Sequence, residues 1–140
     1  MKQQFICGFF NAEAAINKTI SVQQSVRIEL PKEERNQIIK QSKAYQMKDR
    51  MCYFIKWSKA RDIIRFSQRK ESNILKGIKE LLESLEINSK IYPIRVYLGV
   101  NCGMHYELVI PPRYLKQAKD LKLISCKKKV YKLDSLCRGS

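Results

Sequence analysis

A single carboxylate closes the most apolar stretch near the start of this chain. The segment "FICGFFNAEAAI", Phe5 to Ile16, is rich in small and hydrophobic residues, and its one charge is Glu13. A carboxylate can hold a hard divalent cation against phosphate oxygens, and the chemistry that follows is metal-assisted hydrolysis. Its ordinary alternative is a helix-end acid paired with a nearby Lys or Arg. Other catalytic constellations are scarce. His105 is the only histidine, and no neighbouring residue completes a Ser–His or metal–His mechanism around it. The five cysteines, Cys7, Cys52, Cys102, Cys126 and Cys137, contain no C-x-x-C pair. Their spacing suggests neither a zinc site nor a disulfide frame, and they read as reduced thiols of an intracellular protein, cytoplasmic or organellar.

The charge balance names the kind of partner. Lys and Arg number 28 against 13 Asp plus Glu, a formal charge of +15. Such an excess repels itself, and a polyanion is the commonest reason for it. Nucleic acid is the first expectation and an anionic membrane surface the second. No apolar run approaches the roughly 20 residues of a membrane span. The apolar N-terminal patch is followed by Glu13 and preceded by one charge, Lys2, so no signal peptide is expected. With 140 residues, 44% of them hydrophobic, the chain fits one domain with one core, residues 1–140.

Several elements must position these groups. A helix is expected from about Gln4 to Ile16, with Gly8 and Ala12 four residues apart on one face. Gly within a helix is unfavourable by about 1 kcal/mol relative to Ala, which hints at close contact with another backbone. Thr19 to Pro31 reads as extended, through Val22, Val26 and Ile28. Pro31 with Glu33 and Glu34 marks the start of a polar helix reaching Tyr45. Met51 to Lys70 reads as a hairpin, because Tyr53, Ile55 and Trp57 alternate with Phe54, Lys56 and Ser58, and Ile64 and Phe66 alternate with Arg65. Ser72 to Leu85 carries a helical apolar face (Ile74, Leu75, Ile78, Leu81, Leu82, Leu85) with Ser72 as N-cap. A second hairpin is expected from Lys90 to Ile110, turning at Gly99, Asn101 and Gly103. A Pro-initiated helix follows, then a basic tail over 122–140 whose Lys127, Lys128 and Lys129 read as solvated.

The fold class expected is α+β: a four-stranded antiparallel sheet from two hairpins, with helices on one face. The open face would carry Lys56, Arg65, Arg95, Tyr97 and His105, with Lys59 and Arg61 adding charge in the link of the first hairpin. Cationic side chains there can contact phosphates, and Arg and Tyr can reach base edges. A merely solvated sheet face is the alternative.

At this point the chain resembles a known family. "ICGFFNAEA", Ile6 to Ala14, is similar to the nine-residue signature of LAGLIDADG homing endonucleases, with Gly8, Ala12 and Glu13 at the family's positions. "FSQRKESNILKGIKELLESLEI" resembles the family's strand ending in a Gln–Lys pair and its amphipathic helix. The segments "KIYPIRVYLG" and "YELVIPPRYLKQAKDL" resemble its following hairpin and helix. Asn11 stands where the family usually has Asp, and Ala14 where it has Gly. Residues 17–50 read as an insertion.

The resemblance implies a saddle-shaped sheet and two signature helices packed at a twofold axis, with Gly8, Phe9, Asn11 and Ala12 in the contact. Each helix would deliver one carboxylate, so a chain with one motif must form a homodimer sharing two Glu13. These acids would hold Mg²⁺ against the scissile phosphates. Gln68 matches a position that orders water near the active site, and Arg69 stands where a Lys is common. The implied function is a homing endonuclease, of the intron-encoded kind, cutting double-stranded DNA at a near-palindromic site. Two other readings stay open: a non-cutting relative that binds DNA or RNA as a maturase or transcription regulator, and a basic RNA-associated protein of unrelated fold.

Overall fold

A computed structural model describes residues 2–138, with side chains from 4 to 137. The chain is α+β, with an antiparallel sheet of six strands rather than four. Helix α1 spans Lys2–Glu13. Ile6 and Phe10, one turn apart, are fully buried, and the Ala14 amide donates to Phe10 O at 3.0 Å. The helix therefore stops at Glu13, earlier than the expected Ile16, because the chain extends at once into β1 (Ala15–Asn17). It returns as β2 (Thr19–Arg27), with Ile16 opposite Ile20 and Lys18 at φ 47° between the strands.

Residues 17–50 supply strands of the sheet and a helix that covers it. Helix α2 is Lys32–Gln41, opened by Pro31 with Glu33 and Glu34 in its first turn. Ser42 Oγ donates to Ile39 O at 3.0 Å at its end, short of the expected Tyr45. Lys43–Met47 instead form β3, which pairs antiparallel with β4 (Arg50–Lys56) across a turn where Lys48 has φ 51°. The partner of β4 in the first hairpin is thus the strand before it. The expected return strand around Ile64 and Phe66 does not exist. Trp57–Ala60 make the short helix α3, and the amides of Ile63 and Ile64 both donate to Ala60 O, so local bonds curl the chain. Phe66–Gln68 form a 3-10 turn.

Helix α4 (Asn73–Ser84) buries Leu75, Ile78 and Leu82, as its spacing predicts. β5 (Lys90–Leu98) and β6 (Cys102–Ile110) supply the expected second hairpin. After a 3-10 turn at Pro112–Tyr114 come α5 (Leu115–Asp120) and α6 (Lys127–Arg138). The expected basic tail is therefore largely a helix. Leu133 is buried, and Lys119 of α5 pairs with Asp134 of α6 at 3.0 Å, which raises the Lys119 pKa through that hydrogen bond and charge. Strand order is β1-β2-β6-β5-β4-β3.

The chain forms two compact units. The first contains residues 1–23, 73–91 and 107–140; the second contains 24–72 and 92–106. In the first, α1 packs on α4, and α6 packs on α5 and β1. In the second, α2 and α3 pack on β4, over buried Ile38, Ile55, Val96 and Met104.

Candidate functional site

The first unit holds the acid. α1 has two unlike faces: Ile6 and Phe10 lie in the core, while Phe5, Gly8, Ala12 and Glu13 are exposed and Phe9 is half-buried. Among the described residues, nothing beyond the helix's own backbone and the adjoining residues lies within 4 Å of where a Cβ on Gly8 would stand. Glu13 is the last residue of the helix, and no basic residue shares its last turn. A negative charge there opposes the helix dipole, typically by 0.3–1 kcal/mol. Among the described residues no Lys or Arg forms an ion pair with Glu13.

Asn11 faces the other way. Its Oδ1 accepts from the backbone amides of Ser125 and Cys126, both at 2.9 Å. Its Nδ2 donates to Ser125 Oγ at 2.7 Å and to Cys7 Sγ at 3.4 Å. These amides directly precede α6, so Asn11 acts as a cap supplied from another helix. Lys129 reciprocates: its Nζ donates to the carbonyls of Phe10 at 3.0 Å and Asn11 at 2.7 Å, offsetting the negative end of α1. Lys129 is accordingly an anchor rather than the solvated charge expected of it. An amide at position 11 can donate and accept at once, which a carboxylate cannot. That is the local physical use of an amide rather than a carboxylate at position 11.

The second unit holds the cations and rings. On β3, β4 and β5 the register places Lys43 opposite Phe54, Phe54 opposite Tyr97, and Lys56 opposite Arg95. Directly paired residues share a face, so these five side chains lie on one side. Tyr45 stacks on Phe54 at 4.5 Å, within 5° of parallel. Arg95 lies over the Phe54 ring at 5.5 Å. Tyr97 and His105 meet at 4.6 Å. Among the described residues no acid pairs with Lys43, Lys56 or Arg95. Burial, and then the charge of Arg95, hold the His105 pKa below its usual value. That shift favours the neutral ring over the cation.

Phe54 divides this face into two concavities. One, of about 780 Å³, gathers Lys43, Lys56, Arg61 and Arg95 around Trp57. The other, of about 740 Å³, is bounded by Tyr45, Tyr97 and His105. Of the expected DNA contacts, Lys56, Arg61, Arg95, Tyr97 and His105 are thus on or beside this face. Lys59 is exposed on α3. Arg65 is not on a strand; its Nε lies 3.7 Å from the Glu34 carboxylate. Lys43, Tyr45 and Phe54 were missed as face residues. Phe54 had its signal in sharing the side of Lys56 in the period-two pattern; Lys43 and Tyr45 share one side of a strand with too few apolar residues to show.

Gln68 and Arg69 also lie in the second unit, at the end of the 3-10 turn rather than of a strand. With its amide turned to present NH₂, Gln68 donates to Glu34 Oε1 at 3.2 Å. The Arg69 guanidinium lies over Phe66 at 4.6 Å and Trp57 at 5.5 Å. Both side chains are therefore already engaged within their unit.

Among the described residues no three His, Cys, Asp or Glu side chains converge on a metal position. Glu13 offers one carboxylate per chain. Mg²⁺ commonly takes one or two carboxylates plus water and substrate phosphate. No protein-family model matches the chain, and neither a curated protein nor a solved structure matches it.

Proposed function

We propose that the chain is a LAGLIDADG-type site-specific DNA endonuclease, acting as a homodimer on a near-palindromic duplex with Mg²⁺. The observation that carries this reading is Glu13: exposed, without an ion-pair partner among the described residues, and ending a helix whose Phe5, Gly8 and Ala12 are exposed. An apolar helix face of that kind is suited to a second copy of itself under twofold symmetry. Two helices joined there would bring two Glu13 carboxylates to one end of the seam. Those two groups would hold the cation, which when bound supplies Lewis acidity to the scissile phosphate. Asn11 and Lys129 tie α1 to α6 and so fix the direction in which Glu13 leaves the helix. Lys43, Lys56, Arg61 and Arg95 would neutralise backbone phosphates.

The engagement of Gln68 with Glu34 and of Arg69 with two rings favours a second reading, a dimer that binds nucleic acid without cutting. One experiment separates the two. The protein is incubated with duplex DNA spanning the insertion site of its gene, in Mg²⁺ and in EDTA, with sedimentation on the same DNA. Metal-dependent double-strand cuts by a dimer support the endonuclease. Tight binding with no cuts in Mg²⁺ or Mn²⁺ supports the binder, and a monomer on DNA excludes the shared site.

A further inference from the structure

The open face of the second unit is more aromatic than phosphate contacts require. Tyr97 is the clearest case. A Cβ on Gly103 would collide with Cε1, Cζ and the hydroxyl of Tyr97, so this end of the ring rests directly against Gly103, which is buried. One end of the ring is thus taken by the sheet, while Tyr97 as a whole stays partly exposed. His105 flanks it at 4.6 Å and Phe54 is its cross-strand neighbour. Cations rim the group: Lys43 opposite Phe54, and Lys56 opposite Arg95. A ring whose hydroxyl end rests against the sheet is poorly placed to reach into the grooves of a duplex, where bases present only their edges. It can offer its π-face to a base that is unpaired.

We propose that this face binds an unpaired strand of DNA, with a base stacked on Tyr97 and phosphates on Lys43, Lys56 and Arg95. The choice of DNA over RNA rests on the endonuclease reading; the stacking geometry does not. Gly103 is then a specificity residue in its own right, because any side chain there would lift the platform.

The test uses the full-length protein at low salt with an oligo(dT) of roughly 16 nucleotides carrying one 2-aminopurine. A blunt duplex and an oligo(U) of the same length are the competitors. Wild type should quench 2-aminopurine on binding. Tyr97→Phe should bind as wild type. Tyr97→Leu still covers Gly103 but lacks a π-face, and should weaken single-strand binding roughly 5- to 100-fold, well beyond any loss of duplex binding. Absence of quenching with wild type overturns the proposal even if Tyr97→Leu fails to fold. Equal single-strand binding by Tyr97→Leu and wild type also overturns it. Tighter binding of oligo(U) than of oligo(dT) overturns the assignment to DNA. Duplex cleavage without single-strand binding sinks this proposal alone; quenching without cleavage sinks the endonuclease alone.

Discussion

In the first unit, polar ties hold a helix from behind. Asn11 and Lys129 bind α1 to α6, and Phe5, Gly8, Ala12 and Glu13 are left facing outward. In the second unit, rings hold rings: Tyr45 on Phe54, Tyr97 over Gly103, His105 between Phe54 and Tyr97. The first arrangement fixes the direction of one carboxylate. The second spreads a broad cationic and aromatic surface. Chemistry needs a single group held in place, whereas binding a long polyanion needs area and many modest contacts. The two units should therefore fail in different ways when altered.

The largest effect should come from the two faces of α1. Phe10→Ala empties a fully buried site and should cost about 3–5 kcal/mol of stability in urea unfolding. Ala12→Asp, on the opposite face, should leave a folded chain that sediments as a monomer on DNA. If Ala12→Asp still dimerises, the bare face of α1 is not the seam.

Next in size is the cap. Asn11→Ala removes the partners of two amides before α6 and should cost about 1–2 kcal/mol. Asn11→Asp keeps those two acceptor contacts and can accept from the Ser125 hydroxyl in place of donating to it, so it should retain most of the stability in the same assay. Equal losses for both variants would contradict the capping role.

In the second unit, removing Lys56 should weaken duplex binding at all sequences and lower the salt slope by about 1. Stability should hardly change, since Lys56 is exposed. A change of sequence preference with an unchanged slope would mean that Lys56 reads bases instead.

The smallest effect concerns pH. The His105 pKa is lowered by burial and by Arg95. Between its folded value and its ordinary value near 6.5, the unfolded chain binds a proton that the folded chain does not. Stability is thus full above the ordinary value and declines as pH falls through that window. Thermal melting should show this decline in wild type and less of it in His105→Gln.

The sequence made some of this legible for physical reasons. α4 and the β5–β6 hairpin follow helical and period-two burial, which leave strong patterns. The end of α1 was displaced by three residues, since nothing in "EAAI" says that Ala15 begins a strand. β3 escaped notice because Lys43, Ala44, Gln46 and Met47 are all exposed; an edge strand is held by its ladder with β4, not by an apolar side. The false strand at Ile64 and Phe66 arose because these two alternate plausibly with Arg65, whereas the bonds from the Ile63 and Ile64 amides to Ala60 O that curl the chain depend on local geometry. At the candidate site, Glu13, Gly8 and Ala12 could be singled out by type. The use of Asn11 and Lys129 could not, since their partners lie more than a hundred residues away.

The central claim is that Glu13 serves the chemistry and nothing else. It is tested most directly by measuring, on one duplex target, both the Kd and the Mg²⁺-dependent cleavage rate of Glu13→Gln. The account predicts unchanged binding and dimerisation with cleavage lowered at least about a hundredfold, the scale of several kcal/mol of lost charge stabilisation. Cleavage at the wild-type rate, with binding intact, would contradict it.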